Sequence, residues 1–342
     1  MAVTIKDIAV IANVSRGTVD RALNNRAGVN PNVAKKILKI ADDLGYRPNK
    51  AGKALAARKK TTIIGMALPS IKNPFFKDVI AGAMRAGHEF ADYGLKVIIK
   101  EYKGFSVEKQ LNAIEELEKE GINALCIVPM EDPAIIEKID RLYEKNIPVI
   151  ALNSDLHNSR RLCFVGNDYQ KSGRTAAGMF GLITGGHANV LIVTGSVKML
   201  GHNQRISGFG ELIHEKYPDI NIVDVIACND DDNEAHDKVL KALNENPKID
   251  SLYITAAGQL GSVKAVRDSG RNKDFPIICF DDTETNKELL KKGDIRALIC
   301  QEAFRQGYEP IKILFELLIN ARKPKYENIY TEIVIKIPEN SD

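Results

Sequence analysis

The sequence predicts a chain in two unlike parts: an all-α head over residues 1–48 and, beyond a linking segment at 49–60, an α/β body of two lobes over 61–342. Three observations lead there. Residues 1–60 carry 13 Lys and Arg against 4 Asp, whereas the rest carries 35 basic side chains against 41 acidic ones. The net charge of +3 therefore hides a basic head on a mildly acidic body, and a polyanion is expected to meet the head alone. Helical periodicity in the first 44 residues gives way, from Thr61, to apolar runs of four to six residues that alternate with amphipathic segments. Alternation of this kind means parallel sheets covered on both faces, and the number of runs calls for two sheets with a cleft between them.

The head divides into Ile5–Ala12, Ser15–Leu23 and Asn32–Leu44, the last closed by Gly45. Thr4 precedes Asp7 by three positions and Ser15 precedes Thr18 likewise, so each of the first two helices starts from a hydroxyl able to cap it. Asn13 and Val14 leave room only for a tight connection, which makes the pair a helix-turn-helix with a small core of Ile5, Ile8, Ala9, Val14, Val19 and Leu23. Arg16, Gly17 and Arg21 then fall on the free face of the second helix, where an arginine can donate two hydrogen bonds to guanine O6 and N7. Asp20 is the anomaly on that helix. It lies one turn from Arg16, so it either orients that arginine or itself accepts from a cytosine amino group. Tyr46-Arg47-Pro48-Asn49 breaks the helical pattern. Lys50 to Lys60 is basic and capable of helix, but with Leu55 as its one large apolar side chain and Gly52 costing about 1 kcal/mol relative to Ala, it cannot hold a helix alone.

In the body the expected strands are Ile63–Leu68, Lys96–Lys100, Ala124–Val128, Val149–Leu152, Leu162–Val165, Asn189–Val193, Ile222–Ala227, Ser251–Thr255, Ile277–Phe280 and Arg296–Cys300. Between them lie helical segments at Phe75–Tyr93, Val107–Glu120, Pro133–Lys145, Lys171–Thr184, Arg205–Lys216, Asn233–Glu245 and Gly261–Arg267. In such sheets ligands bind beyond the carboxyl ends of the strands. Asn73-Pro74-Phe75-Phe76 stands at such an end. Its rings can stack on the apolar face of a sugar while Asn73 bonds a hydroxyl, or Pro74 simply opens a helix and both rings are core.

Several function classes find no support. The chain has no GxSxG, GxxxxGK[ST], HExxH or GxGxxG, and its six histidines show no ligand spacing, so neither catalysis, a metal nor a cofactor is expected. Asp281-Asp282 with Glu284 reads first as a helix N-terminus. The five cysteines sit in apolar runs without a CxxC partner, as buried residues of a reducing compartment do. The uncharged run Phe180 to Val197 is interrupted by Gly, His, Asn and Thr, so no membrane span is expected. The first ten residues lack a secretory pattern, and a cytoplasmic location is expected.

Thr4-Ile-Lys-Asp-Ile-Ala9, Ala12-Asn-Val-Ser15, Thr18-Val19, Arg21-Ala-Leu-Asn24 and Leu44-Gly-Tyr-Arg-Pro-Asn49 together resemble the DNA-binding head of the lac repressor (LacI/GalR) family. The alternating body resembles that family's periplasmic-binding-protein-like domain. The resemblance implies that Arg16, Gly17 and Arg21 occupy base-reading positions, with Gly17 contributing only close approach. It implies that Thr4, Ser15, Thr18 and Asn24 hold phosphates. Asn49 to Ala57 matches a hinge that becomes helical on DNA, with Leu55 entering the minor groove and Ala51, Ala54 and Ala56 allowing two hinges to pack. Where the family pattern most often has Ser, this chain has Asp20. In the body the resemblance favours Asn73, Phe75 and Phe76 at the ligand, and marks Arg205, Asp281 and Gln301 as polar groups of the cleft. Two departures stand out. Asn153-Ser154 replaces the Asp-Arg pair of many sugar binders, and Ala256-Ala257-Gly258 replaces an Asn-Asp, which removes part of the grip on sugar hydroxyls.

The expected lobes are about 61–164 with 301–325 and about 165–300 with 326–338. The expected function is a transcriptional regulator, a repressor, that binds double-stranded operator DNA of near-palindromic sequence as a homodimer and is switched by a sugar-like small molecule. No leucine-rich heptad follows Ile333–Pro338, which favours a dimer over a tetramer. The competing readings are a solute-binding receptor module, disfavoured by the basic head, and an α/β enzyme acting on a sugar or nucleotide, disfavoured by the lack of a nucleophile.

Overall fold

The computed structural model describes residues 3–23, 27–44, 46, 61–71, 73–196, 198–271 and 274–341. The expected cap Gly45, the phosphate candidate Asn24 and the whole expected hinge at 49–60, with Asn49 and Leu55, lie outside the described residues.

In the head, α1 (Ile5–Ala12) opens on a complete capping box: the Thr4 hydroxyl accepts from the Asp7 N–H at 3.4 Å, and the Asp7 carboxylate accepts from the Thr4 N–H at 2.8 Å. The Thr4 hydroxyl and then the Thr4 N–H, both donating to the Asp7 carboxylate, hold that carboxyl below its ordinary value. Asn13 closes the helix in the left-handed region at φ 55°, which an Asn tolerates, and the chain turns at once into α2 (Arg16–Leu23). The third helix, α3 (Pro31–Asp43), starts one residue before its expected boundary. Proline fits the first helical position, and the Asn30 side chain accepts from Asn32 N–H at 2.9 Å. Ile8, Ala9, Ala12, Val19, Ala22, Ile37 and Ala41 form the buried centre, with Ile5, Val14 and Leu23 packed against it. The six core residues expected from periodicity all belong to this cluster.

The body is built from β1 (Thr62–Leu68), α4 (Phe76–Glu89), β2 (Leu95–Glu101), α5 (Val107–Lys119), β3 (Ala124–Ile127), α6 (Pro133–Glu144), β4 (Val149–Leu152) and β5 (Cys163–Gly166). Then follow α7 (Tyr169–Ile183), β6 (Ala188–Thr194), α8 (Leu200–Lys216), β7 (Ile220–Ala227), α9 (Asp232–Glu245), β8 (Ser251–Ile254) and α10 (Gln259–Asp268). The chain closes with β9 (Ile277–Phe280), α11 (Glu284–Lys291), β10 (Ala297–Cys300), α12 (Ala303–Asn320), β11 (Asn328–Tyr330) and β12 (Val334–Lys336). They form two six-stranded sheets, ordered β11-β5-β4-β3-β1-β2 and β12-β10-β9-β8-β6-β7. Every pairing is parallel except β10 with β12. The inner strands β3, β4, β8 and β9 are buried at every residue, because helices cover both faces.

Each lobe presses two helices together through a reciprocal pair of glycines. A Cβ at Gly82 would stand 2.0 Å from the Phe304 carbonyl oxygen and one at Gly307 1.8 Å from that of Val79, which joins α4 to α12. Gly173 and Gly208 do the same for α7 and α8, at 2.1 Å from Arg205 O and 2.0 Å from Gln170 O. These contacts leave no room for any side chain.

The chain crosses between lobes after β5, after β10 and between β11 and β12. The crossings are tied together: Thr331 N–H donates to Gly166 O at 2.7 Å, and Glu332 N–H to the Glu302 carboxylate at 2.7 Å. The expected assignment of 326–338 to the second lobe is corrected here. Asn328–Tyr330 pairs with β5 on the first sheet, where Phe164 N–H donates to Glu327 O at 2.8 Å, and only Val334–Lys336 reaches the second. The boundary expected at 164/165 likewise falls inside β5, which runs to Gly166. Strands of three residues at a sheet edge carry too few side chains to announce which edge they join. Among the described residues no helix is long and apolar enough to cross a membrane.

Candidate functional site

Between the two sheets, beyond the carboxyl ends of β1, β4, β8, β9 and β10, lies a cleft of about 620 Å3 including its open mouth. All eight body residues singled out from the sequence line it: Asn73, Phe75, Phe76, Asn153, Ser154, Arg205, Asp281 and Gln301. Asp230, Tyr169, His202, Phe105 and Met199 line it too, and no motif had pointed to them.

Phe75 and Phe76 serve as core and as cleft wall together, although Pro74 stands in a turn before the cap residue Phe75 and not in the first turn of α4. The rings meet edge to face at 5.2 Å, are 8% and 4% exposed, and belong to the first lobe's core while forming the cleft wall. Asn73 braces them, since its Oδ1 accepts from Phe75 N–H at 3.1 Å. Its Nδ2 reaches across the cleft and donates to Asp230 Oδ2 at 3.1 Å, joining the first lobe to the second. The lobes also touch where Glu131 N–H donates to Lys198 O at 3.2 Å and where Phe105 meets the His202 ring edge-on at 6.0 Å.

Asn153 takes the left-handed backbone at φ 61°, which turns the chain at the end of β4, and its Nδ2 donates to Gln306 Oε1 at 3.1 Å. Beside it Ser154 is buried, with a hydroxyl that finds no partner among the described residues. Gln301 donates from Nε2 to Asp281 Oδ1 at 2.7 Å and accepts at Oε1 from the Tyr169 hydroxyl at 3.2 Å. Arg205, 3% exposed, is held by α8: its Nη1 donates to Thr255 O, and its guanidinium lies 3.6 Å over the Phe280 ring and 4.7 Å over Tyr169. Its Nε has no partner among the described residues. These two enclosed polar atoms of the cleft, without a hydrogen bond among the described residues, are ones that a polar ligand could satisfy.

Burial sets the charges. It raises Asp230 to about 6 against the bonds from Ala257 N–H and Asn73 and the attraction of Arg205, with Asp281 adding to the rise. Burial also raises Asp281 to about 6 while Arg205 and Gln301 oppose it. His202 goes the other way: burial and then Arg205 push it down to about 3, so it stays neutral, with Nδ1 accepting from Ser196 N–H at 3.1 Å. Among the described residues, no group of three His, Cys, Asp or Glu side chains is placed to hold a metal ion.

On the head, Arg16, Gly17 and Arg21 are exposed on α2. The Ser15 hydroxyl caps the helix, accepting from Thr18 N–H at 3.1 Å and lying 2.9 Å from the Thr18 hydroxyl. One of these two hydroxyls keeps its proton free for a phosphate oxygen. Thr4 does not, because its hydroxyl donates to Asp7 at 2.7 Å. Its place in the structure is that of a cap. Asp20 is half-buried, and its charge, after burial, holds the Tyr46 phenol above its ordinary value. That puts the Asp20 charge within electrostatic reach of Tyr46, on a partly covered position of α2.

Residues 4–49 match the family model described as bacterial regulatory proteins, lacI family, and residues 64–322 match that of the periplasmic binding protein domain. The chain is 28% identical over 287 residues to catabolite control protein A of Priestia megaterium, covering 83% of both chains. It is 26% identical over 284 residues to the ribose operon repressor of Halalkalibacterium halodurans, covering 81% of this chain and 80% of that one. Among solved structures, GanP, a glucose-galactose binding protein from Geobacillus stearothermophilus, shares the body fold at a TM-score of 0.76 and 24% identity, over 82% of this chain and 99% of that one.

Proposed function

The chain belongs to the lacI family of bacterial regulatory proteins and carries a periplasmic-binding-protein body; from that premise we propose that it is a cytoplasmic repressor that binds a near-palindromic operator as a homodimer and is switched by a sugar-like molecule in the interlobe cleft. The observation that carries the reading is the exposed face of Arg16, Gly17 and Arg21 on a helix capped and packed as a recognition helix is. Each head lays α2 in a major groove, with Arg16 and Arg21 at base edges and Ser15 or Thr18 at a phosphate. Asp20 acts from the same helix, either by orienting Arg16 or by accepting from a cytosine amino group. Asn24 adds a phosphate contact, and the segment around Asn49 and Leu55 enters the minor groove between half-sites.

In the cleft Phe75 and Phe76 give the ligand an apolar wall, and Asn73, Asn153, Ser154, Arg205, Asp281 and Gln301 give it polar partners. The ligand acts by binding two lobe arrangements with unequal affinity, since equal affinity would shift nothing. The bond from Asn73 to Asp230 is the contact most directly open to such a change. A binding-site selection on random duplexes tests the reading: it should return a two-fold related site, and the affinity for that site should change with ligand in a gel-shift titration. Retention of random sequence alone would refute it.

A further inference from the structure

We propose that the interlobe cleft takes a ligand bearing one positive charge on a polyol-sized frame, an aminated sugar or cyclitol, and discriminates against neutral and anionic analogues. The proposal rests on the effector-cleft reading above and narrows it to a chemical class.

Charge is the basis. Among the described residues lining the cleft, two are carboxylates, Asp230 and Asp281, and one is a cation, Arg205. Arg205 is already committed to the Thr255 carbonyl and to the faces of Phe280 and Tyr169. His202 adds nothing, since burial keeps it neutral. The two carboxylates stand on one wall, at the ends of β7 and β9, each in the left-handed backbone region at φ 58° and 71°. They are close enough that the charge of Asp281 acts on Asp230.

Their oxygens are unevenly served. Asp230 accepts one bond on each oxygen, from Ala257 N–H at 3.2 Å and from Asn73 at 3.1 Å. Asp281 accepts on Oδ1 from Gln301. Its Oδ2 carries no hydrogen bond from the described residues and is left for a ligand donor.

A neutral polyol could bond these oxygens but would leave an uncompensated negative charge as the lobes close over it, which is costly in a low-dielectric site. A carboxylated or phosphorylated ligand would add to that charge. An ammonium group compensates it and supplies three donors, while the hydroxyls of the frame meet the Ser154 hydroxyl and Arg205 Nε, the two enclosed side-chain atoms of the cleft without partners among the described residues.

Isothermal titration of the full chain at pH 7.5 tests this with matched sets: D-glucose, D-glucosamine and D-glucuronate, and their galacto and manno counterparts. At least one amine should bind tenfold or more tightly than its neutral partner, and the uronates should give no heat. In Asp281→Asn and Asp230→Asn, each checked for its fold by circular dichroism, the preference for the amine should fall towards one. A neutral sugar that equals or exceeds its amine, or a preference that survives both substitutions, overturns the proposal while leaving the effector cleft standing. Absence of amine binding across the sets also overturns it. Sugar binding that persists undiminished in Asn73→Ala and Arg205→Met would instead sink the cleft reading on which it rests.

Discussion

Replacing Asp281 by Asn should stabilise the ligand-free protein at neutral pH, and the size of the gain follows from the cleft. The folded carboxyl holds its proton up to about pH 6, whereas the ordinary value is 3.8. Between those two values the folded state binds more protons than the unfolded one, so stability falls as pH rises through this window and stays reduced above it. At about 1.4 kcal/mol per pH unit, the ionised Asp281 costs about 3 kcal/mol at pH 7.5 and nothing below pH 3.8. Asparagine removes the charge and little else. Its Oδ1 can still accept from Gln301 Nε2, its amide occupies the place of Oδ2, and the residue tolerates φ 71° as well as Asp does. Because Asp281 also raises Asp230, the substitution eases the second carboxylate too. Urea titrations of the full chain, followed by circular dichroism at pH 4.5, 6 and 7.5, measure the difference. The variant should exceed the parent by up to about 3 kcal/mol at pH 7.5, and the gap should shrink towards pH 4.5. A variant less stable than the parent at pH 7.5, or a gap that does not change with pH, would refute the account of a charge held at a desolvation cost.

Three further outcomes are expected. Arg21→Ala should weaken operator binding by about 1–3 kcal/mol and relax specificity at one base position per half-site, read by repeating the selection with the variant; an unchanged consensus would remove Arg21 from base reading. Thr4→Ala should cost about 1 kcal/mol in the thermal stability of the head, through loss of the capping box with Asp7, and leave the operator affinity of the folded protein unaltered in a gel-shift titration; a folded variant that binds the operator more weakly would mean that Thr4 touches a phosphate. Gly208→Ala must part α7 from α8, because its Cβ would lie 2.0 Å from the Gln170 carbonyl oxygen, and a loss of about 1–3 kcal/mol in urea titration is expected. Since α8 carries Arg205, ligand affinity should fall with it, and an unchanged affinity would disconnect the glycine contact from the cleft.

Much of this architecture was legible in the residues because the signals are local. Thr4 with Asp7 and Ser15 with Thr18 announce helix starts through bonds spanning three residues, and both caps form. The ten apolar runs each became a strand; the inner ones are buried on both faces and must be apolar throughout, while β2 and β7, at the sheet edges, keep exposed and charged positions. The shortest elements were not legible. Asn328–Tyr330 and Val334–Lys336 have three residues each, too few for a period, and they form only because sheet edges already stand ready to pair with them. Helix α12 is interrupted in sequence by Gly307 and Pro310. The packing against α4 requires the first, and the second is buried in the lobe's core side.

The same division runs through the site. The sequence by itself determined the kind of protein: a basic helix-turn-helix with Arg16 and Arg21 outward, and a body whose strand ends carry Asn73, Asn153, Asp281 and Gln301. The first follows from periodicity and charge along a few neighbouring residues, whereas Asn153, Asp281 and Gln301 were marked by the resemblance to the lacI family. The tertiary structure decided what those groups face. Only folding brings Asp230 within 3.1 Å of Asn73, 157 positions away, stacks Arg205 on Phe280, and encloses the Ser154 hydroxyl without a partner among the described residues. It also brought the Asp20 charge within reach of Tyr46, which spacing along α2 could not foresee. Charge and burial at a cleft depend on which distant strands end beside one another, and that depends on the packing of two whole sheets rather than on any one stretch of chain.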